Sequence, residues 1–266
     1  TSKEWLNLDK NKIAISVFTG DSDAPFDKES FDIWKKLNIS EKRIAKLPKS
    51  DNWWGPAGQI GPCGPDTEMF YWIGDDSPPE NFQKTHSDPR WIEIWNDVFM
   101  EYNKTQNGKY EQLKQKNVDT GMGLERMAMV MQGKDNVYET DLFRPLVVKI
   151  KSQISKVKTT TQNSKFNKEK SIRIIADHIK ASVFIIAAGV IPSNIGRGYV
   201  LRRLIRRARY YYDSIGGQDK PLGFLVEDVV SIYKDVYPEL SEKKDYIDQK
   251  VITEEEETFS AHLRFG

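Results

Sequence analysis

The chain has 266 residues and a mass of 30.7 kDa, with 38% hydrophobic and 30% charged side chains and a mean hydropathy of −0.61. This composition describes a globular chain with a sizeable core, one large domain or two small ones, and excludes a disordered protein. Forty basic against 39 acidic residues leave a formal charge of +1, which selects no partner, and no run approaches the roughly 18 apolar residues of a membrane span.

In chain order, the first residues, 1–5, show no signal-peptide pattern. Residues 13–18 (Ile-Ala-Ile-Ser-Val-Phe) are β-prone and run into Gly20-Asp21, and residues 27–38 read as a short amphipathic helix. Gly55 to Asp66 packs four glycines and three prolines behind the pair Trp53-Trp54, which predicts a rigid loop. Its amides could approach a ligand, with the tryptophans walling a pocket; a tight loop capping a sheet edge is the other reading. Cys63, the single cysteine, excludes an internal disulfide framework, fits a reducing compartment such as the cytoplasm, and reads as a small packed side chain. Residues 70–73 predict a second strand. Residues 92–102 predict a long one, pairing with 110–113 across the hairpin signal Asn107-Gly108. Hairpin-linked strands imply a mostly antiparallel sheet.

At residues 118–126 (Val-Asp-Thr-Gly-Met-Gly-Leu-Glu-Arg) a strand is expected to end at Asp119, pass Gly121 and Gly123, and enter a buried helix over 124–131. This places a carboxylate, able to hold a cation, beside a helix start that favours an anion. Arg126 sits one turn in with paired donors for a phosphate. An Asp–Arg pair bracing a turn is the alternative.

From there the period is helical: 139–155, then a polar linker over 156–170, then helices over 171–188, 197–214, 222–236 and 242–263. The expected division is a sheet domain over 1–155 and a helical domain over 171–266. Residues 171–209 carry eight Lys or Arg against one acid, and 210–266 thirteen acids against six bases. In the helix over 197–214, Leu201, Leu204, Ile205 and Ala208 form the inward stripe. Arg202, Arg206 and Arg209 flank it, and Arg203 and Arg207 form a second row. That face could follow a phosphate backbone or pair with the acidic helices after it. His86, His178 and His262 are too far apart in the sequence for a local zinc cluster.

Together the glycine–proline segment, residues 91–100, 118–126, 138–143, 175–178 and 196–203 resemble the catalytic part of the alanyl-tRNA synthetase family, in the family's order and over nearly the whole chain. The resemblance implies an α+β fold: the class II antiparallel sheet with flanking helices, followed by an all-helical tRNA-recognition domain. It implies ATP-dependent activation of alanine to alanyl-adenylate and transfer to the 3′ end of tRNA(Ala), with Mg2+ bridging the phosphates and no zinc in this segment. Asp119 would hold the alanine ammonium; Trp54, Val98 and Gly121 would line the alanine pocket; Gly123 and Arg126 would meet ATP. Asn194, Arg197, Arg202, Arg203 and Arg206 would lie against the acceptor stem. Asp66 stands where many members have a second cysteine. The family's motifs 1 and 2, its editing domain and its C-terminal domain have no counterpart in these residues. The expectation is therefore an internal part of a longer synthetase, working with that enzyme's remaining domains; a non-catalytic acceptor-stem-binding paralogue is the runner-up.

Overall fold

The computed structural model describes residues 6–154, 167–217 and 220–265. The chain divides into two compact units, Thr1–Val137 and Tyr138–Gly266.

The first unit is built on a six-stranded sheet: β1 (Ile13–Phe18), β2 (Ile44–Leu47), β3 (Trp53–Trp54), β4 (Gly61–Trp72), β5 (Trp91–Lys104) and β6 (Tyr110–Met122). The order is β2-β1-β4-β5-β6, with β3 pairing to β4. Only β1 and β2 run parallel. All six residues of β1 are buried, as expected for a β-branched run at the centre of a sheet. The hairpin at Asn107-Gly108 forms as expected, and β6 continues far beyond Leu113, to Met122.

Two helices cover one face. α1 (Lys28–Lys36) starts at Asp27, whose carboxylate accepts from Ser30 N at 3.0 Å, and lays Phe31 and Trp34 on Ile13, Ile15 and Val17. A short α2 (Phe82–Thr85) belongs to the opposite face. Next comes α3 (Leu124–Met131), which inserts Met127 among Leu8, Ile94 and Met69 on the α1 side. This helix is only half as buried as expected: Leu124 and Met131 are exposed.

The glycine–proline segment is not a loop beyond Gly61. Residues 61–72 are one strand, because β5 pairs along its length. Gly64 is glycine for a packing reason: a Cβ there would lie 1.8 Å from the Phe99 carbonyl oxygen of β5. Cys63 is fully buried with Phe18 and Tyr102, as a packed side chain.

The second unit is helical: α4 (Arg144–Ile154), α5 (Lys168–Ala187), α6 (Gly196–Ser214), a 3-10 turn (Leu222–Leu225), α7 (Val226–Tyr233), α8 (Glu239–Glu242), a π-helical stretch (Tyr246–Thr253) and α9 (Glu254–Phe265). α5 and α6 pack along each other and bury Ile172, Ile175, Ile179 and Val183 with Leu201, Ile205 and Ala208. Leu204 is only half-buried. The division between the units falls earlier than the expected boundary at 156–170. The cause is α4, which buries Leu146, Ile150 and Ile154 and packs on α5 and α7. Most of the expected linker lies outside the described residues; its last part is the Asn167 cap and first turn of α5. No helix among the described residues is long and apolar enough to cross a membrane.

Candidate active site

Strand register decides which side chains meet. Residues directly opposite one another share a face, as do positions two apart along one strand. Across β1, β4, β5 and β6, Ser16, Glu68, Asn96 and Gly121 therefore form one row. Asp66, Val98 and Asp119 form the row beside it. Both rows lie on the face opposite α1 and α3.

That face is closed at one end by Phe82 of α2, packed with Trp72 and Trp91. At the other end Phe18, Cys63, Tyr102 and Trp53 form an aromatic block. Between them the two rows are mostly polar, with Ser16, Asp66 and Val98 buried and Glu68 and Asn96 partly so. A cleft of about 740 Å³ opens beside them, lined by Trp54, Pro56, Ile60, Met100, Leu113 and Asp119 among others. Trp54 reaches it because Trp53 and Trp54 pair with Pro65 and Gly64. The paired tryptophans split their work: Trp53 enters the aromatic block and Trp54 is left 39% exposed on the cleft.

Two of the four expected alanine-pocket residues meet in the cleft, and the other two lie on the adjoining sheet face. Trp54 and Asp119 line the cleft, Val98 sits opposite Asp119 across the ladder, and Gly121 lies one step along. A Cβ at Gly121 would meet nothing within 4 Å, so the space above it is open. Thr120, on the other face, bridges Trp95 Nε1 and Asp97 Oδ1, each at 2.5 Å, and holds β6 in register here.

Gly123 is the N-cap of α3 and offers no side chain to the first-turn amides. These donors point where an anion would gain from them. Arg126, one turn in, donates from Nη1 to the Glu93 carbonyl oxygen at 3.2 Å and to its carboxylate at 2.7 Å. The guanidinium is half exposed, and such a pair is worth only ~0–1 kcal/mol, so a phosphate can replace it.

On the same sheet face as Asp119 lies a network that sequence reasoning missed. Asn52, fully buried, donates from Nδ2 to Ser16 Oγ at 2.8 Å and to Asp66 Oδ1 at 2.9 Å. Ser16 Oγ donates to Glu68 Oε2 at 3.2 Å, and Asn96 Nδ2 to Glu68 Oε1 at 3.3 Å. Burial pushes the Asp66 carboxyl up to about 6, against the pull of Asn52 and Asn96. Burial, then the negative charges of Glu93 and Asp66, pushes Glu68 up to about 8. The available signal was a polar residue in each of these strands, Ser16 alone in 13–18 and Asn96 beside Asp97 in 91–100; polar positions of this kind are ordinary in strands.

The family model for class II (A) tRNA synthetases matches residues 1–266. The chain belongs to this class II synthetase family. It is 47% identical to the alanine–tRNA ligase of Borrelia hermsii (strain HS1 / DAH) over 268 residues, covering 100% of this chain and 44% of the relative. It is 42% identical to that of Treponema pallidum (strain Nichols), with coverage of 100% and 44%. For Clostridioides difficile (strain 630) the identity is 40%, over 99% of this chain and 29% of the relative. The chain spans less than half the length of the curated relatives it matches.

In the second unit, the arginines of α6 divide into two sets. Arg206 donates from Nε to Glu255 of α9 at 2.6 Å, with Arg202 4.0 Å from the same carboxylate. Arg209 pairs with Asp213 at 2.8 Å and lies 3.7 Å from Glu256. This flank pairs internally with the acidic C-terminal helix, the alternative that the charge pattern left open. Arg197, Arg203 and Arg207 stay exposed, with Arg203 and Arg207 stacked over Tyr199 and Tyr211. Asn194, also exposed, accepts from Arg202. Ile191, Ile195, Tyr199 and Val200 are exposed around the start of this helix.

Proposed function

We propose that this chain carries the amino-acid-activating site and an acceptor-stem-binding helix of an alanine–tRNA ligase. The reaction is ATP-dependent formation of alanyl-adenylate, followed by transfer of alanine to the 3′ end of tRNA(Ala). The observation that supports it best is the meeting of Trp54 and Asp119 in one cleft, with Val98 and Gly121 on the adjoining sheet face.

Asp119 supplies the negative charge for the alanine ammonium. Buried Val98 and Trp54 bound the space for a methyl side chain. An oxygen of the alanine carboxylate attacks the α-phosphorus of ATP; a P–O bond forms there and the bond to pyrophosphate breaks. The protein needs no nucleophile for this, and its contribution is orientation and charge stabilisation. Arg126 and the uncapped amides of α3 fit a polyphosphate, the guanidinium exchanging Glu93 for a phosphate oxygen. Magnesium, when bound, neutralises phosphate charge. The ion would be carried by the phosphates themselves. On the second unit, Asn194 with Arg197 and Arg203 would face the acceptor stem. Arg202 and Arg206 would act there through their pairing with Glu255.

The test is alanine-dependent ATP–pyrophosphate exchange and aminoacylation by the full-length protein carrying these residues. Exchange supported by alanine above other amino acids is expected. Its absence, with ATP bound normally, would overturn the reading.

A further inference from the structure

Asp66 and Glu68 stand two apart on β4, in the rows that lead across β5 to Asp119 and Gly121, and neutral donors surround their carboxyl groups. Ser16 and Asn96 serve Glu68, and Asn52 and Asn96 serve Asp66. Among the described residues no Lys or Arg forms an ion pair with either carboxyl; the nearby guanidinium of Arg126 is taken by Glu93. Two atoms of the same network lack a partner. Asn52 Oδ1 and Asn96 Oδ1 are buried oxygens with no hydrogen-bond donor. Such orphans cost free energy unless a ligand supplies a proton. The Asn96 amide nitrogen is anchored by carboxyls, so its oxygen is the free end, in the same row as Gly121 with its open space. A pair of adjoining carboxyl groups set among acceptor oxygens, with no cation paired to it, is built for a positively charged group that donates hydrogen bonds.

Resting on the functional reading above, we infer that Glu68 is a positioning residue of the amino-acid site, coupled to substrate charge: it holds the Asn96 amide, and it releases its proton when the alanine ammonium binds. The step balances as Glu68 carboxylic acid plus bound ammonium giving Glu68 carboxylate beside the same ammonium, with one proton passed to solvent. Glu68 is only partly buried, so the proton has a way out. The groups that act on Glu68 are Ser16 on β1, Asp51 and Asn52 in the turn before β3, Asp66 on its own strand, and Glu93 and Asn96 on β5. The position opposite Asn96 on β6 is Gly121, which carries no charge. With burial and three carboxylates holding the proton on, Glu68 is protonated at neutral pH and gains most from an incoming cation.

The experiment measures the KM for alanine in pyrophosphate exchange between pH 6.5 and 8.5, where alanine keeps its own ammonium proton, using the full-length protein and Glu68→Gln. Wild type should show a KM for alanine that falls with rising pH, by at most about tenfold per unit for one proton, and levels off near 8. The Gln variant should show a flat profile with a KM for alanine raised about tenfold or more, while the KM for ATP stays within about twofold. Should Glu68→Gln fail to fold, Ser16→Ala carries the test. It removes a donor that favours the carboxylate, so the levelling-off point should move to higher pH. A flat wild-type profile, a Gln variant that keeps the wild-type slope, or an unmoved Ser16→Ala profile would overturn the inference while leaving alanine activation intact. Loss of alanine-dependent exchange in the wild type would instead remove the functional reading itself.

Discussion

Arg206 and Glu255 are joined across α6 and α9 at 2.6 Å, with their side chains only 23% and 12% exposed. A guanidinium so placed holds two helices together before it serves any ligand. Arg206→Glu sets two like charges against each other in a half-buried position and should cost about 1–3 kcal/mol, read as a lower melting temperature. Arg203→Glu with Arg207→Glu should leave melting nearly unchanged. These two should weaken tRNA binding and flatten its salt dependence by about 0.9 in log–log slope for each phosphate left unneutralised. Equal melting losses in the two sets would erase the distinction between them.

Asp119→Asn keeps the shape of the cleft and removes the charge. Asp119 is exposed, so alanine use should suffer by about 1.5–3 kcal/mol, the range for a hydrogen bond to a charged group, while ATP affinity stays near wild type. Unchanged alanine kcat and KM would leave Asp119 only its place in the β6 strand.

The cleft is walled by Trp54, Pro56, Ile60 and Met100, and apolar walls discriminate poorly against an added hydroxyl. Serine-dependent exchange should therefore trail alanine-dependent exchange by only about 10²-fold in kcat/KM. A preference near 10⁵ would require a polar feature that rejects the hydroxyl.

Gly64→Ala places a methyl group where the Phe99 carbonyl oxygen lies 1.8 Å away. The β4–β5 ladder must open there, at a cost of about 1–3 kcal/mol. Because Trp54 pairs with Gly64, the KM for alanine should rise along with the fall in melting temperature. A variant as stable as wild type would show that the two strands can separate freely at this point.

Glu256 is 2% exposed, and burial holds its carboxyl near 7, with Asp213 adding to the shift and Leu222 N and Arg209 opposing it. A carboxyl whose folded value lies above its unfolded value binds the proton more tightly when folded. Its contribution to stability is therefore full below the unfolded value of 4.5 and declines as pH rises to about 7. Glu256→Gln should gain on wild type across that interval, and the difference should level off above it. Denaturant melts at pH 4.5 and 7.5 would show this; a constant difference would contradict it.

Local signals carried most of the fold. The apolar run of β1, the Asn107-Gly108 turn and the helical period of 197–214 each contain their own instruction, and each element formed. The strand over 61–69 was hidden because glycine and proline normally interrupt sheets. Only a partner strand lying close against Gly64 makes them fit, and that partner is 35 residues away in Phe99. The site divides the same way. Asp119, Gly121, Gly123 and Arg126 sit in one short segment and could be read together. Ser16, Glu68 and Asn96 come from separate parts of the chain and become neighbours only through register, and Asn52 joins them from the turn before β3. The two roles of the α6 arginines were likewise open until α9 was in place to claim one flank.

Between Asp66 and Met69, β4 runs in unbroken step with Val98 to Trp95, and the pairing shifts at both ends of this stretch. All the chemistry assigned to β4 falls inside these few positions, where side-chain direction depends on counting by twos. Deleting or adding one residue here would turn Glu68 toward α1 and bring the apolar Met69 into the proposed pocket. The Asn107-Gly108 turn, which joins β5 to β6 at the far end of the sheet, faces no such arithmetic. This predicts where the chain can change length during evolution or engineering: freely at the tip of its longest hairpin, and not at all along the few paired residues that carry the carboxyls.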